Sequence, residues 1–557
     1  MAQVSFTDCA PFVGWTTLRA TLTTLGPMRV LRVLMKSVRA EMDEDDGCFR
    51  GDSVHNYVNH PLVARAALKL AVELDPSLAS GDADSDALSV EQGEDLRLVL
   101  RQVNELARSS LQARRPANFD RTPRFSQEHV ERIVDILWVE TLRGRGRANS
   151  FKHELGRAWL LLRTYWIDRR AEVKGAVDLS LADPLDTVFD SMECAIALVV
   201  ALLHFGGRME DARTTLAGTA FAGHLEAVLG WYAQPAGAVV GDWVDIELFA
   251  SRGIDGAFQS EPVVRLGEFG LIAPDLAMAL SGIADRALSR GLANYANNGA
   301  KALESARTVL GLVFERHVQS LVEECALNSA SSRFENEFKL ADTTDSPDAF
   351  LVSGSEVCAF EAKATRYPAP VHDHLDRSAF LQWLREVTGE RPATNRAPLE
   401  QGARFVERWR LGDATAVAKL GTHAPNTFWY VIVVHEDLPP FVHWERFRDL
   451  MWRPKLGARE RALDARTLFI SIRDLEALVA ALAWLRDVGR SSDAARVLTE
   501  WRAVWDCDEE IASSRELKPS LRSYVLGRFP RSAGYIPVSL SSAFRECWTA
   551  TGEALFG

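Results

Sequence analysis

Residues 346–363 read Ser346-Pro347-Asp348-Ala349-Phe350-Leu351-Val352-Ser353-Gly354-Ser355-Glu356-Val357-Cys358-Ala359-Phe360-Glu361-Ala362-Lys363. Two β-forming runs flank Gly354-Ser355, and Gly at the first central position suits a two-residue type II′ hairpin turn. That turn pairs Ser353 with Glu356, and in the same register Asp348 falls opposite Glu361. Opposed residues hold their Cβ atoms roughly 4.5–5.5 Å apart. Two carboxylates that close repel unless a cation lies between them, and Mg²⁺ or Mn²⁺ suits such hard oxygen donors. Glu361 and Lys363 are two apart on one strand and face the same side. Phe360, Ala362 and Ala364 face the other side, which is apolar. One face thus gathers two acids and an amine.

That set is what phosphodiester hydrolysis requires. A bound metal polarises a phosphate oxygen and lowers the pKa of its water. The lysine orients or deprotonates that water, or stabilises the charge developing on the phosphate. Lysine is scarce here, 10 residues against 54 arginines. A lysine kept within an apolar strand therefore calls for a reason, such as a compact charge with a shiftable pKa.

Pro347-Asp348 followed by Glu361-Ala362-Lys363 resembles the PD-(D/E)xK, restriction-endonuclease-like nuclease superfamily. The resemblance implies a mixed sheet flanked by helices, with a metal held by Asp348, Glu361 and the Ala362 carbonyl, and Lys363 completing the site. It further implies an acid on the helix before the first core strand, here Glu315 in Gly311–Val318, which joins the catalytic and metal set. Gln401-Gly402-Ala403-Arg404-Phe405 is similar to the Gln-x-x-x-aromatic helix of some members, with Phe for the commoner Tyr, and nominates Gln401. Glu337-Phe338-Lys339 is a competing ExK in a strand-like run. It lacks an acid across a tight turn.

Outward from this centre, the expected α/β domain covers 300–490. Its helices are Ala302–Ala326, Leu399–Trp409 and Asp474–Val488. Its strands are Phe334–Leu340, Ala349–Ser353, Val357–Ala364, Phe428–His435 and Leu468–Ile472. Residues 1–235 read as an α-helical recognition or regulatory region. Pro61 marks the first turn of a helix at Asn59-His60-Pro61, and Ser89–Gln92 has the form of a capping box. A further helix is expected over Glu128–Leu142. Residues 236–299 form a small mixed connecting segment with strand composition at Val239-Val240, Val244–Leu248 and Val263–Leu266. A helix follows Pro274, and Asn294–Gly299 is a polar break. Residues 491–557 read as a helical tail ending in irregular segments.

Bulk properties narrow the classes. The chain has 557 residues, is 47% hydrophobic and 25% charged, as ordinary globular proteins are. Its seven cysteines are scattered without a CxxC pair, which argues against a disulfide framework or a thiolate zinc site and points to a reducing cytoplasm. Residues 1–15 show no basic stretch leading into a long apolar core, so no signal peptide is expected. The most apolar run, Ala195–Leu203, is short for a membrane span. A net charge of −12 confines any nucleic-acid contact to a local basic groove. No P-loop motif occurs. Asp82–Asp86 starts like a calcium loop but lacks its Gly and Glu. His372-Asp373-His374, the Arg143–Arg147 run and the Arg–aromatic stretch 522–535 read as loop or surface.

These readings converge on a Mg²⁺- or Mn²⁺-dependent nuclease acting on nucleic acid. The resemblance favours DNA and an anti-phage defence role, with the helical half receiving a protein partner or trigger. Two alternatives stay open: a non-catalytic scaffold with a degenerate nuclease fold, and a nuclease subunit working beside a separate ATPase.

Overall fold

In the computed structural model, described residues are 10–39, 60–74, 90–114, 151–171, 182–236, 241–247, 262–266, 270–354, 356–365, 377–388, 398–421, 427–437, 457–506 and 520–557, less scattered single positions. The expected helix at Glu128–Leu142, the Arg143–Arg147 run, the calcium-like Asp82–Asp86 and His372–His374 lie outside them.

Helices α1 (Trp15–Leu25), α2 (Pro27–Arg39), α3 (His60–Glu73) and α4 (Val90–Arg114) come first. A second helical group follows: α5 (Phe151–Trp159), continued by a π turn over Leu160–Thr164, then α6 (Ala182–His204), α7 (Met209–Ala217) and α8 (Ala222–Tyr232). Strands β1 (Ala233–Pro235), β2 (Val263–Arg265) and β3 (Leu271–Ile272) make a small mixed sheet. Residues 243–247 are helical where described, although Val244–Leu248 has strand composition. Ile246 is buried in the apolar cluster that also holds α1–α4, so tertiary contact overrides local preference there.

Helices α9 (Leu276–Ala296) and α10 (Ala300–Asn328) lead into a five-stranded mixed sheet. Its strands are β4 (Ser332–Asn336), β5 (Ala349–Ser353), β6 (Glu356–Lys363), β7 (Thr427–Val434) and β8 (Thr467–Ser471), and they lie side by side in chain order. Strand β5 runs antiparallel to both β4 and β6, while β6, β7 and β8 are parallel. The parallel part follows from burial on both faces: β7, Thr-Phe-Trp-Tyr-Val-Ile-Val-Val, is a near-continuous apolar run. Strand β4 stops at Asn336. Beyond it only Lys339 and Asp345 bridge, so the expected strand Phe334–Leu340 is cut short.

Side-chain parity sorts the two faces. Phe350, Val352, Val357, Ala359, Tyr430 and Ile432 point toward α12 (Pro398–Arg410), which follows α11 (Arg377–Thr388). Ala349, Leu351, Cys358, Phe360, Val431 and Val433 point toward the second half of α10 and, beyond two short helices (α13, Ala414–Leu420; α14, Ala458–Asp464), toward α15 (Ile472–Asp487). Helix α15 starts directly from β8 through a capping box between Ser471 and Asp474.

The rest of the chain is α16 (Ala494–Asp506), α17 (Leu521–Arg528) and α18 (Val538–Phe556). The expected irregular ending is instead a 19-residue helix. Leu540, Ala543 and Cys547 of α18 are buried in the core of the second helical group, beside α5, where Gly156 admits the α18 backbone. A Cβ on Gly156 would come 2.4 Å from the Leu540 carbonyl oxygen.

The apolar cores do not divide at residue 299. Ala302, Ala306, Val309 and Val313 of α10 belong to the helical core, while Phe314, Val318, Leu321 and Val322 belong to the sheet core. Asn294–Gly299 spans only the end of one helix and the turn into the next. In α6, Leu185–His204 is apolar and long enough to cross a membrane by length and composition. It extends well beyond the Ala195–Leu203 run, and Cys194–Leu202 lie fully inside the helical core.

Candidate functional site

The β5–β6 hairpin has the register the turn dictates, Ser353 with Glu356 through Ala349 with Phe360. Gly354 takes φ +57° at the turn, a conformation that glycine adopts without steric cost. Asp348 precedes the last pair and shares the parity of Phe350 and Val352, as Glu361 shares that of Val357 and Ala359. Both acids therefore belong to the α12 side of the sheet. The Asp348 carboxylate accepts a hydrogen bond from the Ala362 N–H, Oδ2 to N 2.6 Å.

Glu361 is buried, with 1% exposure. Its Oε1 accepts from Lys363 Nζ at 2.6 Å, while its Oε2 is buried without a hydrogen bond among the described residues. Tyr430, close by on β7, donates its hydroxyl to the Pro398 carbonyl at 3.0 Å. Lys363 is the last residue of β6 and is half-buried. The site thus stands at the carboxyl end of the parallel strands, where open α/β sheets bind ligands.

Glu315 comes from α10. Its Oε1 accepts from Gln319 Nε2 at 3.0 Å, and the same amide nitrogen donates to the Asp348 carbonyl at 3.1 Å. Gln319, one helical turn after Glu315 and buried, thereby ties α10 to the start of β5. Its place was not apparent from the sequence; the spacing of four from Glu315 is the only local signal. Carboxylate oxygens of Glu315, Glu337 and Asp348 lie within 4.8 Å of one another. Glu337 is the acid of the competing ExK. Its partner lysine does not join, since Lys339 is exposed and pairs with Asp345 at 3.8 Å.

Gln401 is half-buried on α12 and makes no hydrogen bond among the described residues. Its neighbour Gly402 is more telling. A Cβ there would meet Tyr430 Cζ at 2.6 Å and Leu463 Cδ2 at 2.8 Å, so α12 packs closely on the strand beside Glu361.

Electrostatics reflect this crowding. Burial, then the charges of Glu361 and Glu315, raise the Asp348 carboxyl well above the usual range, against the pull of Lys363 and the Ala362 N–H. Burial, then Glu361 and Asp348, push the Tyr430 phenol well up. The donors suit a hard divalent cation: they are carboxylate oxygens, and one buried oxygen has no hydrogen bond.

A separate buried charge network lies at the same end of the sheet. Arg157 of α5 donates from Nε and Nη2 to both Glu476 oxygens, at 2.7 and 2.6 Å, and from Nη1 to Glu154 at 2.9 Å. Arg473 reaches Glu154 at 3.3 Å, Asp285 at 3.4 Å and Asp437 at 3.3 Å. His317 Nε2 stands 3.4 Å from Glu476. Burial alone would raise the Glu476 carboxyl, but Arg157 holds it far below the usual range.

Comparisons with protein-family models, with curated proteins and with solved structures find no match to this chain.

Proposed function

We propose that this chain is a divalent-metal-dependent nuclease of the PD-(D/E)xK, restriction-endonuclease-like class, acting on nucleic acid and preferentially on DNA. One observation carries the reading: Asp348, Glu361 and Lys363 converge at one end of a mixed sheet, and Glu361 keeps a buried oxygen without a hydrogen bond among the described residues. A buried, half-satisfied carboxylate is costly unless something else binds it. Asp348, Glu361 and the Ala362 carbonyl are the ligands we assign to Mg²⁺ or Mn²⁺, with Glu315 nearby.

When bound, such an ion polarises a phosphate oxygen and acidifies its water. The protein's own part is positional. The Ala362 N–H holds the Asp348 carboxylate in place, and Gln319 orients Glu315. Lys363, fixed on Glu361, presents an ammonium that can hold a proton near the attacked phosphate or neutralise charge on it. We assign the protein to the cytoplasm and its activity to defence against foreign nucleic acid, both by resemblance.

The test is cleavage of supercoiled plasmid and of single-stranded oligonucleotides by the full chain. Cutting is expected with Mg²⁺ or Mn²⁺, none with EDTA, and none by Glu361→Gln. Cleavage that persists in EDTA, or in a folded Glu361→Gln protein, would overturn the reading.

A further inference from the structure

We propose that His317 is a positioning residue for the candidate site: held by Glu476, it fixes the turn of α10 that presents Glu315 and Gln319. The consequence for cleavage rests on the nuclease reading above. The consequence for cation binding needs only that the site takes a divalent ion.

Residues 315, 317 and 319 lie on one turn of α10 but not on one face. With about 3.6 residues per turn, Gln319 stacks over Glu315 while His317 points to the opposite side. Toward the site, the Gln319 amide donates to Glu315 at 3.0 Å and to the Asp348 carbonyl at 3.1 Å. Away from it, His317 Nε2 stands 3.4 Å from Glu476 Oε1 of α15, and its ring lies against Tyr165 with centroids 5.7 Å apart. Arg157 of α5 holds both oxygens of the same Glu476. One carboxylate thus anchors α10 to α15 and to the helical group. It does so where the buried side chains of α10 pass from the helical core, at Val313, to the sheet core, at Phe314.

Packing alone gives no reason for a histidine at 317. The position belongs to the buried stripe of Val313, Phe314, Val318 and Leu321, and His317 is 0% exposed. Burial pulls its imidazole below the ordinary value, against Glu476 and with the help of Arg157. It is therefore neutral near pH 7 and has one proton to give. Glu476, ionised beside Arg157, can only accept, which puts that proton on Nε2. The Nδ1 is then buried without a hydrogen bond among the described residues. That is unfavourable, and a leucine would fill the stripe without it. What the imidazole adds is direction. Apolar packing holds α10 against the sheet but is non-directional. Hydrogen bonds on opposite sides of one turn fix the rotation of the helix. Glu315 reaches the Asp348 carboxylate from that turn, so a small rotation carries its oxygens away from an ion bound there.

The experiment is calorimetric titration of the EDTA-stripped full chain with Mn²⁺, under conditions where urea unfolding shows each variant fully folded. His317→Leu keeps the apolar stripe but cannot donate. It should bind Mn²⁺ about tenfold more weakly, the lower end of what outer partners of metal ligands cost. His317→Met takes its place should the leucine variant not fold. His317→Gln keeps an N–H donor in the place of Nε2 and should recover most of the loss. In a Glu315→Gln background, His317→Leu should weaken binding no further, because residues acting through one contact are not additive. Wild-type affinity in His317→Leu would overturn the inference. So would a glutamine variant no better than the leucine one, or a loss that adds fully to that of Glu315→Gln, the mark of general loosening. All three results leave the nuclease reading standing. The expected binding pattern without any cleavage of nucleic acid would keep the inference and sink that reading. A wild type that binds no Mn²⁺ would overturn both.

Discussion

Lys363 donates to Glu361 at 2.6 Å from the last position of β6. On the proposed nuclease reading, its value there is that of a small ammonium able to exchange protons. Lys363→Ala should lower cleavage by on the order of a hundredfold to ten-thousandfold, with unchanged circular dichroism. Lys363→Arg should be equally impaired, because a guanidinium is larger and keeps its proton. Asp348 allows a test without turnover. Burial and the nearby Glu361 and Glu315 raise its folded pKa above the ordinary value near 4. The folded metal-free protein therefore holds this proton more tightly than the unfolded chain. The associated stability is complete below about pH 4 and is lost as pH rises through the folded value. Asp348→Asn imitates the protonated form and can still accept from Ala362. By urea unfolding in EDTA at pH 8 it should exceed the wild type by about 0.5–2 kcal/mol, with the gap shrinking toward pH 5. Mg²⁺ should then stabilise the wild type more than the variant.

Two glycines decide how helices meet their neighbours. At Gly402 the α12 backbone comes so close to Tyr430 and Leu463 that a methyl group has no room. Gly402→Ala should cost about 1–3 kcal/mol and, by shifting Tyr430 beside Glu361, should weaken Mn²⁺ binding as well. Gly156→Ala meets a backbone carbonyl of α18 rather than a movable side chain. A similar stability loss is expected there with metal binding intact. Calorimetric titration and urea unfolding on the two variants separate these outcomes. Equal metal affinity in both would mean that α12 does not support the site.

Across the whole molecule, the helical group and the sheet share α10 and the Arg157–Glu476 network. Removing one member of a buried ion pair leaves the other uncompensated. Arg157→Ala should cost about 3–5 kcal/mol by urea unfolding, far more than an exposed pair such as Arg404–Glu400. Asp437 follows β7 and Arg473 follows β8, so the network and the candidate site occupy the same carboxyl end of the sheet. A fragment beginning near Ala293 would expose Glu476 and the apolar first half of α10. It should aggregate, or bind metal and cut plasmid far less than the full chain. A well-folded fragment with equal or greater cutting would instead mean that the helical half restrains the nuclease.

Asp348, Glu361 and Lys363 were legible along the chain because their placement depends on short-range rules. A two-residue turn sets the pairing, and a period of two assigns each side chain to a face. The strands β5 to β8 and the helices α10, α12 and α15 were legible for the same reason, to within a few residues. Glu337 was not. On its own it forms half of a rival motif, and only the ties of Phe338 to Ser346 and Phe350 carry it to Glu315 and Asp348. The helical ending of the chain and the helical 243–247 segment likewise depend on what they pack against. The joining of the two halves was beyond reach for a simpler reason. Arg157 and Glu476 are 319 residues apart, and nothing in either neighbourhood of sequence specifies the other. Their pairing comes from close packing of distant helices, where a buried charge is stable only beside its complement.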